Sequence, residues 1–367
     1  MSRRYPETTI SEQLEKSYPV ATVPRPKRIV IYRLGSIGDT IVALPCFHGI
    51  ARAFPHAERI VLTNFPVAAV AAPLEAVLGK GKLVSRYVTY PINLRSIREL
   101  LKLRKALAAL ETDTLIYLAA SRGLLETWRD FLFFRLCGIR HILGIPLTRD
   151  LQCNRIDPKT GFVEPECERL ARTLTRFMEI DLRDQESWDL LLDDDELAAS
   201  RALAGRLRGT PFIAIHVGGK VIEKNWGESN WRALLADLAR THGDHGLMLL
   251  GAAEDAPLYG AITTAWSGPI LNEVGNLTPR QCAAVLRAAS LFIGHDSGPL
   301  HLAAVSGASC VGLFGSYNLP RKWHPYVGKL RIIHRMQGVT TITVHEVAEA
   351  SRELLAVNHP KCETMTG

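Results

Sequence analysis

The sequence predicts an α/β protein of two tandem domains, each built on a parallel sheet with helices on both faces. Short apolar runs alternate with longer amphipathic ones, which is the pattern of a parallel sheet covered by helices. A polar, acidic stretch at residues 181–195 interrupts the alternation, which then starts again. Glycine-containing loops follow several of the apolar runs. The 367 residues are enough for two domains that each bury a core.

The runs predicted to be strands are short and rich in Ile, Val and Leu. They are residues 28–34, 59–64 and 113–120 in the first half, and residues 211–217, 246–251, 291–296 and 310–315 in the second. Helical spacing marks residues 97–110, 230–241 and 279–290. We place the domains at residues 27–185 and 186–340, after a polar tail at 1–26 and before a C-terminal helix and tail at 341–367.

Composition and charge restrict the class of protein. The hydrophobic fraction of 47% and the charged fraction of 22% are ordinary for a globular protein. No apolar run reaches the ~18 residues that span a bilayer, and the N-terminus lacks the apolar core of a signal peptide, so we expect a cytoplasmic protein. The net charge of +7 comes without a nucleic-acid-binding motif, so no nucleic-acid partner is expected. Seven scattered cysteines lack zinc spacing and predict free thiols.

The first candidate site residues lie in GSIGDT, residues 35–40, between the first strand and a helix. Gly35 and Gly38 permit tight turns and the close approach of a ligand around Ser36. The loop is neither GxGxxG nor a Walker A motif. Asp39 stands at the start of the helix, where a carboxylate either caps the helix or serves as a general base.

The second candidate segment is DSGPLH, residues 296–301, which also follows a strand. Proline suits the first position of a helix, and free N–H groups near Ser297 and Gly298 would form an anion site suited to a diphosphate. The alternative is a capped helix start, with Asp296 or Ser297 as the cap and His301 as a packing residue.

Two further strand ends carry candidates. Gly218 and Gly219 follow one strand, and Lys220 and Lys224 behind them either meet phosphate charge or are ordinary surface lysines. Glu254 follows the next strand with a carboxylate that could accept hydrogen bonds from ribose hydroxyls. All these segments lie at strand ends, where parallel sheets bind ligands, so one shared cleft is predicted.

The segments RLGSIGDTIVALP (residues 33–45) and IGHDSGPLHLAAVSGASCVGLFGSYN (residues 293–318) together resemble family 9 glycosyltransferases, the ADP-heptose:lipopolysaccharide heptosyltransferases. The resemblance covers residues 28–330. It implies a GT-B fold, in which two Rossmann-like domains with parallel sheets face a central cleft. The N-terminal domain would take the acceptor and the C-terminal domain the nucleotide sugar. Family members transfer with inversion and, as GT-B enzymes, usually need no metal. The ADP-sugar would be a substrate, so neither a cofactor nor a metal is expected.

The resemblance also implies residue roles. Asp39 would be the base that deprotonates the acceptor hydroxyl, Lys224 would contact the donor phosphates and Glu254 the ribose. The residues on the donor side are Gly218, Gly219, Lys224, Glu254, Asp296, Ser297, Gly298 and His301, and those on the acceptor side are Gly35, Ser36, Gly38, Arg95 and Arg98. Gly218 and Gly219 stand where close relatives often carry two threonines.

The implied reaction moves a heptose or a related sugar from an ADP-sugar to the lipopolysaccharide inner core or a similar glycan. Its acceptor would be an anionic glycolipid, reached by peripheral contact with the cytoplasmic face of the inner membrane. A basic segment between Arg86 and Arg104 would suit such an acceptor, or is simply a solvated helix face. The alternatives are transfer to a protein or another cell-surface glycan, and an inactive protein that only binds nucleotide sugars.

Overall fold

The computed structural model describes residues 26–64, 72–90, 96–219 and 221–358, and within them the strands form two parallel sheets. The first sheet has the order β3-β2-β1-β4-β5. Its strands are β1 (Arg28–Tyr32), β2 (Glu58–Asn64), β3 (Arg86–Tyr90), β4 (Thr114–Tyr117) and β5 (His141–Leu143). The helices of this half are α1 (Ile37–Val42), α2 (Leu44–Ala53), α3 (Glu75–Leu78), α4 (Ile97–Ala108), α5 (Leu124–Leu136), α6 (Arg149–Gln152) and α7 (Glu166–Leu174).

The apolar strands of the first sheet are buried on both faces. Successive side chains of a strand point to opposite faces, so in β1 Ile31 packs in one cluster with Phe47 of α2. Tyr32 points the other way and packs with Leu103 of α4 and Phe134 of α5. Helices α4 and α5 therefore share one face of the sheet, and α2 covers the opposite face.

The second sheet has the order β11-β10-β9-β6-β7-β8. Its strands are β6 (Phe212–His216), β7 (Gly246–Leu249), β8 (Ile270–Asn272), β9 (Leu291–His295), β10 (Cys310–Phe314) and β11 (Leu330–His334). The helices of this half are α8 (Asp194–Gly205), α9 (Glu228–His242), α10 (Tyr259–Thr263), α11 (Pro279–Leu286), α12 (Gly298–Val305) and α13 (Val344–Asn358). β6 lies between β7 and β9, so the loops after these three strands emerge side by side at one edge.

The polar stretch at 181–195 lies between the two sheets, where the sequence places the domain limit. Part of it is ordered secondary structure rather than linker, because residues Gln185–Trp188 form a 3-10 helix. Asp193 caps α8: its Oδ1 accepts the Glu196 N–H at 2.8 Å, and Glu196 Oε2 accepts the Asp193 N–H at 2.8 Å. The three aspartates 193–195 thus begin a helix, where carboxylates are favoured by the helix dipole.

The two halves meet along a continuous apolar cluster to which both sheets contribute. Arg280 of α11 strengthens this contact. It pairs with Glu196 of α8 and donates to the carbonyl oxygens of Val77 and Leu190, which lie in the first half and in the connecting segment. Helix α1 also packs against α12, which brings the carboxyl ends of β1 and β9 together.

The structure confirms the seven predicted strands, with ends that differ by a few residues. It adds four strands that the sequence patterns did not reveal, β3, β5, β8 and β11, and these form the edges of both sheets. No helix in the described ranges is both long enough and apolar enough to cross a bilayer.

Candidate functional site

Asp39 is folded back onto its own loop at the start of α1. Its Oδ2 accepts hydrogen bonds from the Ser36 N–H at 2.8 Å and from the Ser36 hydroxyl at 3.0 Å. Gly35 makes this possible, because an ideal Cβ there would lie 2.4 Å from Asp39 Cβ and the backbone φ is +139°. Both bonds use the same oxygen, and no described residue hydrogen-bonds Oδ1. The carboxylate therefore caps the helix and still has an acceptor atom available.

A buried arginine, Arg33, hydrogen-bonds the backbone of the loop that carries Asp39. Arg33, at the end of β1, is fully buried and donates to the carbonyl oxygens of Leu118 at 2.8 Å and of Asp39. Burial lowers the pKa of the Arg33 guanidinium, and the nearby Asp39 carboxylate opposes that change. Sequence reasoning did not select Arg33, although an arginine at the end of an otherwise apolar strand is an available signal.

Lys224 and Asp296, both predicted on the donor side, form an ion pair. Lys224 Nζ lies 2.8 Å from Asp296 Oδ2 and 3.2 Å from the Asp296 carbonyl oxygen. Asn318 donates to the same carboxylate oxygen, and Lys224 Nζ lies 4.6 Å from the centre of the Tyr317 ring. Asn318 and Tyr317 are further residues of the site that the sequence did not identify. The ammonium group is held at the start of α12, where it could also meet an anionic ligand.

Ser297, His216 and Asp255 form a chain of polar contacts beside this pair. The Ser297 hydroxyl lies 3.2 Å from His216 Nδ1, and His216 Nε2 lies 3.6 Å from Asp255 Oδ2. Burial opposes ionisation of Asp255, but its contacts with His216 and the Ala252 N–H lower the pKa of its carboxyl group. The space that a Cβ of Gly218 would need is filled by this carboxylate, with Oδ1 at 2.0 Å.

The loops that carry Asp39 and Asp296 lie against one another. An ideal Cβ on Gly298 would be 2.7 Å from Ile37 Cβ, and one on Gly38 would be 3.4 Å from the His301 ring. Burial lowers the pKa of His301, and the charges of Asp296 and Asp39 oppose that shift. His301 is therefore close enough to interact with a carboxylate from each half of the molecule.

The remaining predicted residues are more dispersed. Gly219 and Glu254 are exposed at the carboxyl ends of β6 and β7, and it is Asp255 rather than Glu254 that turns inward. Arg98 is exposed on α4, on the face of the first sheet opposite α2. Arg95 and Lys220 lie outside the described residues.

Arg86 belongs to the basic segment by sequence, but it lies on β3 and pairs with Glu58 at 2.6 Å. Six of the cysteines are free thiols, and Cys362 lies outside the described ranges. No group of three or more His, Cys, Asp or Glu side chains in the described part of the chain is arranged to hold a metal ion. The role of a metal in the reaction stays a matter of prediction.

The chain has two parallel β-sheets covered by helices, and the carboxyl ends of their strands meet across an interface. This is the GT-B fold of glycosyltransferases. A family model, glycosyltransferase family 9 (heptosyltransferase), matches residues 149–349. The chain belongs to this family, and it is a glycosyltransferase. None of the curated proteins matches it.

Solved structures show the same fold at low sequence identity. The glycosyl transferase family 9 protein of Veillonella parvula is 18% identical, with a TM-score of 0.69 over 90% of this chain and 98% of the other. The E. coli ADP-heptose lipopolysaccharide heptosyltransferase II is also 18% identical, with a TM-score of 0.65 over 90% and 99% of the two chains. The E. coli heptosyltransferase WaaC with ADP is 16% identical, with a TM-score of 0.59 over 89% and 99%.

Proposed function

We propose that the protein transfers a heptose or a related sugar, with inversion, from an ADP-sugar to the lipopolysaccharide inner core or a similar anionic glycolipid. The observation that carries this proposal is the opposition of two loops of different chemistry. One loop presents the Asp39 carboxylate. The other presents Asp296 and Ser297 at the start of α12, where Lys224 from the segment after β6 pairs with Asp296. A base and a cationic diphosphate site on opposite sides of one interface suit an in-line displacement.

In the proposed reaction Asp39 Oδ1 accepts the proton of an acceptor hydroxyl. The hydroxyl oxygen then attacks the anomeric carbon from the face opposite the leaving diphosphate, whose bond to that carbon breaks. Negative charge grows on the diphosphate, and Lys224 together with the N–H groups at Ser297 and Gly298 would stabilise it. Preorganised donors of this kind contribute about 3–4 kcal/mol each.

The groups on the proposed donor side suit a nucleoside diphosphate. Glu254 is exposed beside the loop after β7 and is available for ribose hydroxyls. Gly218 and Gly219 offer no hydroxyl, whereas Ser297 provides one at the start of α12. We propose that no metal takes part, so excess EDTA should leave transfer unchanged.

An Asp39→Asn variant tests the base, because an amide oxygen can still accept the Ser36 N–H and keep the cap. We expect transfer to fall by about 10²–10⁴-fold, while the rise in melting temperature on adding an ADP-sugar is retained. Asp193→Asn is the matched control, since it makes the same change at a cap in α8, outside the proposed site. An Asp39→Asn protein with wild-type turnover would rule out this role.

A panel of ADP-, UDP- and GDP-sugars tests the donor. Only the ADP-sugars should raise the melting temperature substantially, because binding to the folded state alone stabilises it. Stabilisation by UDP-sugars in place of ADP-sugars would overturn the donor assignment and leave the reaction class standing. The acceptor assignment implies a place of action at the cytoplasmic face of the inner membrane.

A further inference from the structure

An apolar stripe lies on the outer surface of α5. Leu125, Trp128, Leu132 and Leu136 recur at helical spacing and are between 46% and 83% exposed. The inner face of the same helix buries Thr127, Asp130 and Phe134. The stripe is therefore not the core-facing side of an amphipathic helix, because that side is already occupied. Exposed contiguous apolar surface of this kind usually marks a contact with a partner or a membrane.

Helix α4 lies beside α5 and extends this surface. Both helices pack on the same face of the first sheet, and Arg104 of α4 lies close enough to influence the thiol of Cys137, which ends α5. On α4, Ile97 and Leu101 are also exposed. We call the outward side chains of the two helices the α4–α5 surface, which comprises Ile97, Leu101, Leu125, Trp128, Leu132 and Leu136 with the basic residues around them.

The charges of the two helices favour an anionic partner. Together they carry six basic side chains against three acidic ones. On α4 the basic side chains are Arg98, Lys102, Arg104 and Lys105, all exposed, and none forms an ion pair within the described residues. On α5 the buried Asp130 is paired with Arg122 and Arg129. A positive surface with a leucine and tryptophan stripe matches a helix that lies in the interface of an acidic membrane.

We propose that the α4–α5 surface binds an anionic lipid bilayer. The α5 stripe would enter the headgroup region, and the basic residues of α4 would lie over lipid phosphates. A second copy of this chain fits less well, because a two-fold contact would place one positive surface against another. The inference deepens the proposed function by naming the surface that meets the acceptor's membrane, but it requires neither the donor nor Asp39.

Vesicle sedimentation of the full-length chain tests this surface. We expect the wild type to bind vesicles with 30% phosphatidylglycerol in phosphatidylcholine at least tenfold more strongly than phosphatidylcholine alone, and 0.5 M salt to remove the difference. Leu125→Ser/Trp128→Ser/Leu132→Ser should lower the partition coefficient at least tenfold, and so should Lys102→Glu/Lys105→Glu. Ile270→Ser/Val357→Ser removes exposed apolar side chains elsewhere, so it should bind as the wild type does.

Trp128 offers a second, site-specific measurement. It is the most exposed of the six tryptophans, so brominated acyl chains should quench its emission when the protein binds vesicles. Trp128→Phe should lose most of that quenching while keeping the partition coefficient. Wild-type binding by the serine variant, or no quenching of bound wild type, would overturn the proposal. The proposal would also be overturned if light scattering showed the wild type to be a dimer and the serine variant a monomer. The surface would then join two copies of the chain.

The two proposals fail in different ways. Asp39→Asn should bind vesicles like the wild type, since Asp39 lies outside the α4–α5 surface. A protein that transfers sugar to a water-soluble acceptor fragment but ignores anionic vesicles would overturn the membrane surface alone. A protein that binds vesicles but transfers no sugar would overturn the proposed function alone.

Discussion

A methyl group at position 218 tests how the proposed donor side of the site is built. Gly218 is buried at the end of β6, and an ideal Cβ there would lie 2.0 Å from Oδ1 and 2.1 Å from Cγ of Asp255. Both distances are far inside van der Waals contact, and the three nearest atoms all belong to that carboxylate. In Gly218→Ala the Asp255 side chain therefore has to move, whereas the backbone can stay.

The cost follows from the contacts that the displaced carboxylate loses. Asp255 Oδ2 accepts the Ala252 N–H at 2.9 Å and lies 3.6 Å from His216 Nε2. Loss of a capping bond costs about 0.5–2 kcal/mol, and the longer contact with His216 adds less than a full charge-assisted hydrogen bond. We expect Gly218→Ala to lower the free energy of unfolding by about 1–3 kcal/mol.

Urea unfolding with two further variants makes this test specific. Gly219→Ala is the control one residue along, because its Cβ would meet nothing nearer than the Val221 oxygen at 3.9 Å, and it should change stability by less than about 0.5 kcal/mol. Asp255→Ala removes the obstructing atoms, so adding Gly218→Ala in that background should cost almost nothing. An equal cost of Gly218→Ala in both backgrounds would refute the reasoning.

The same carboxylate predicts a pH dependence. Since the folded pKa of Asp255 lies below its ordinary value, its stabilisation is complete above the ordinary carboxyl pKa and is lost as the pH falls through the lowered one. The difference in stability between the wild type and Asp255→Ala should therefore shrink below about pH 4.

Further predictions concern buried charges. Burial lowers the pKa of His295 to about 3, so at pH 5 its imidazole is protonated only in the unfolded chain. This residue alone should lower the free energy of unfolding by about 2 kcal/mol between pH 7 and 5, and His295→Gln should reduce the total fall by that amount. Lys224→Met leaves the Asp296 carboxylate without its cation, which should cost about 1–3 kcal/mol; adding Asp296→Asn should restore thermal stability but not the shift caused by an ADP-sugar. Arg33→Met removes the donor to the carbonyl oxygens of Leu118, which is buried, and of Asp39, which is half-buried, and should cost about 2–4 kcal/mol in urea unfolding.

The central strands of both sheets were predictable because burial on both faces demands an unbroken apolar run. β1 and β9 are of this kind, and every residue of β9 is buried. The edge strands were not predictable in the same way. β3 exposes Arg86 and Thr89, and its other residues are only partly buried, so it lacks the unbroken apolar run that marks the central strands. β5 and β8 span three residues each, too few for any periodicity to show.

The site was predictable where its chemistry is local in sequence. Glycine, serine and aspartate after a buried strand mark a loop that approaches a ligand or caps a helix, and loops 35–39 and 296–301 do lie together. The contacts of Arg33, Asn318 and Asp255 depend on partners far away in the chain, so no short motif reveals them. Between the neighbouring carboxylates Glu254 and Asp255, the 3-10 helix Ala253–Leu258 decides which one faces His216.

Capping and catalysis by Asp39 stood as alternatives in the sequence, and the structure makes them compatible. A carboxylate has two oxygens, and the cap uses only Oδ2. The bonds with Ser36 fix the rotamer of the side chain, so Oδ1 keeps one position relative to the facing loop. Such fixed placement of a reacting group lowers the entropic cost of reaching the transition state. Ser36 would then contribute to the proposed base as well as to the helix start, and the same two bonds would serve both the fold and the proposed reaction.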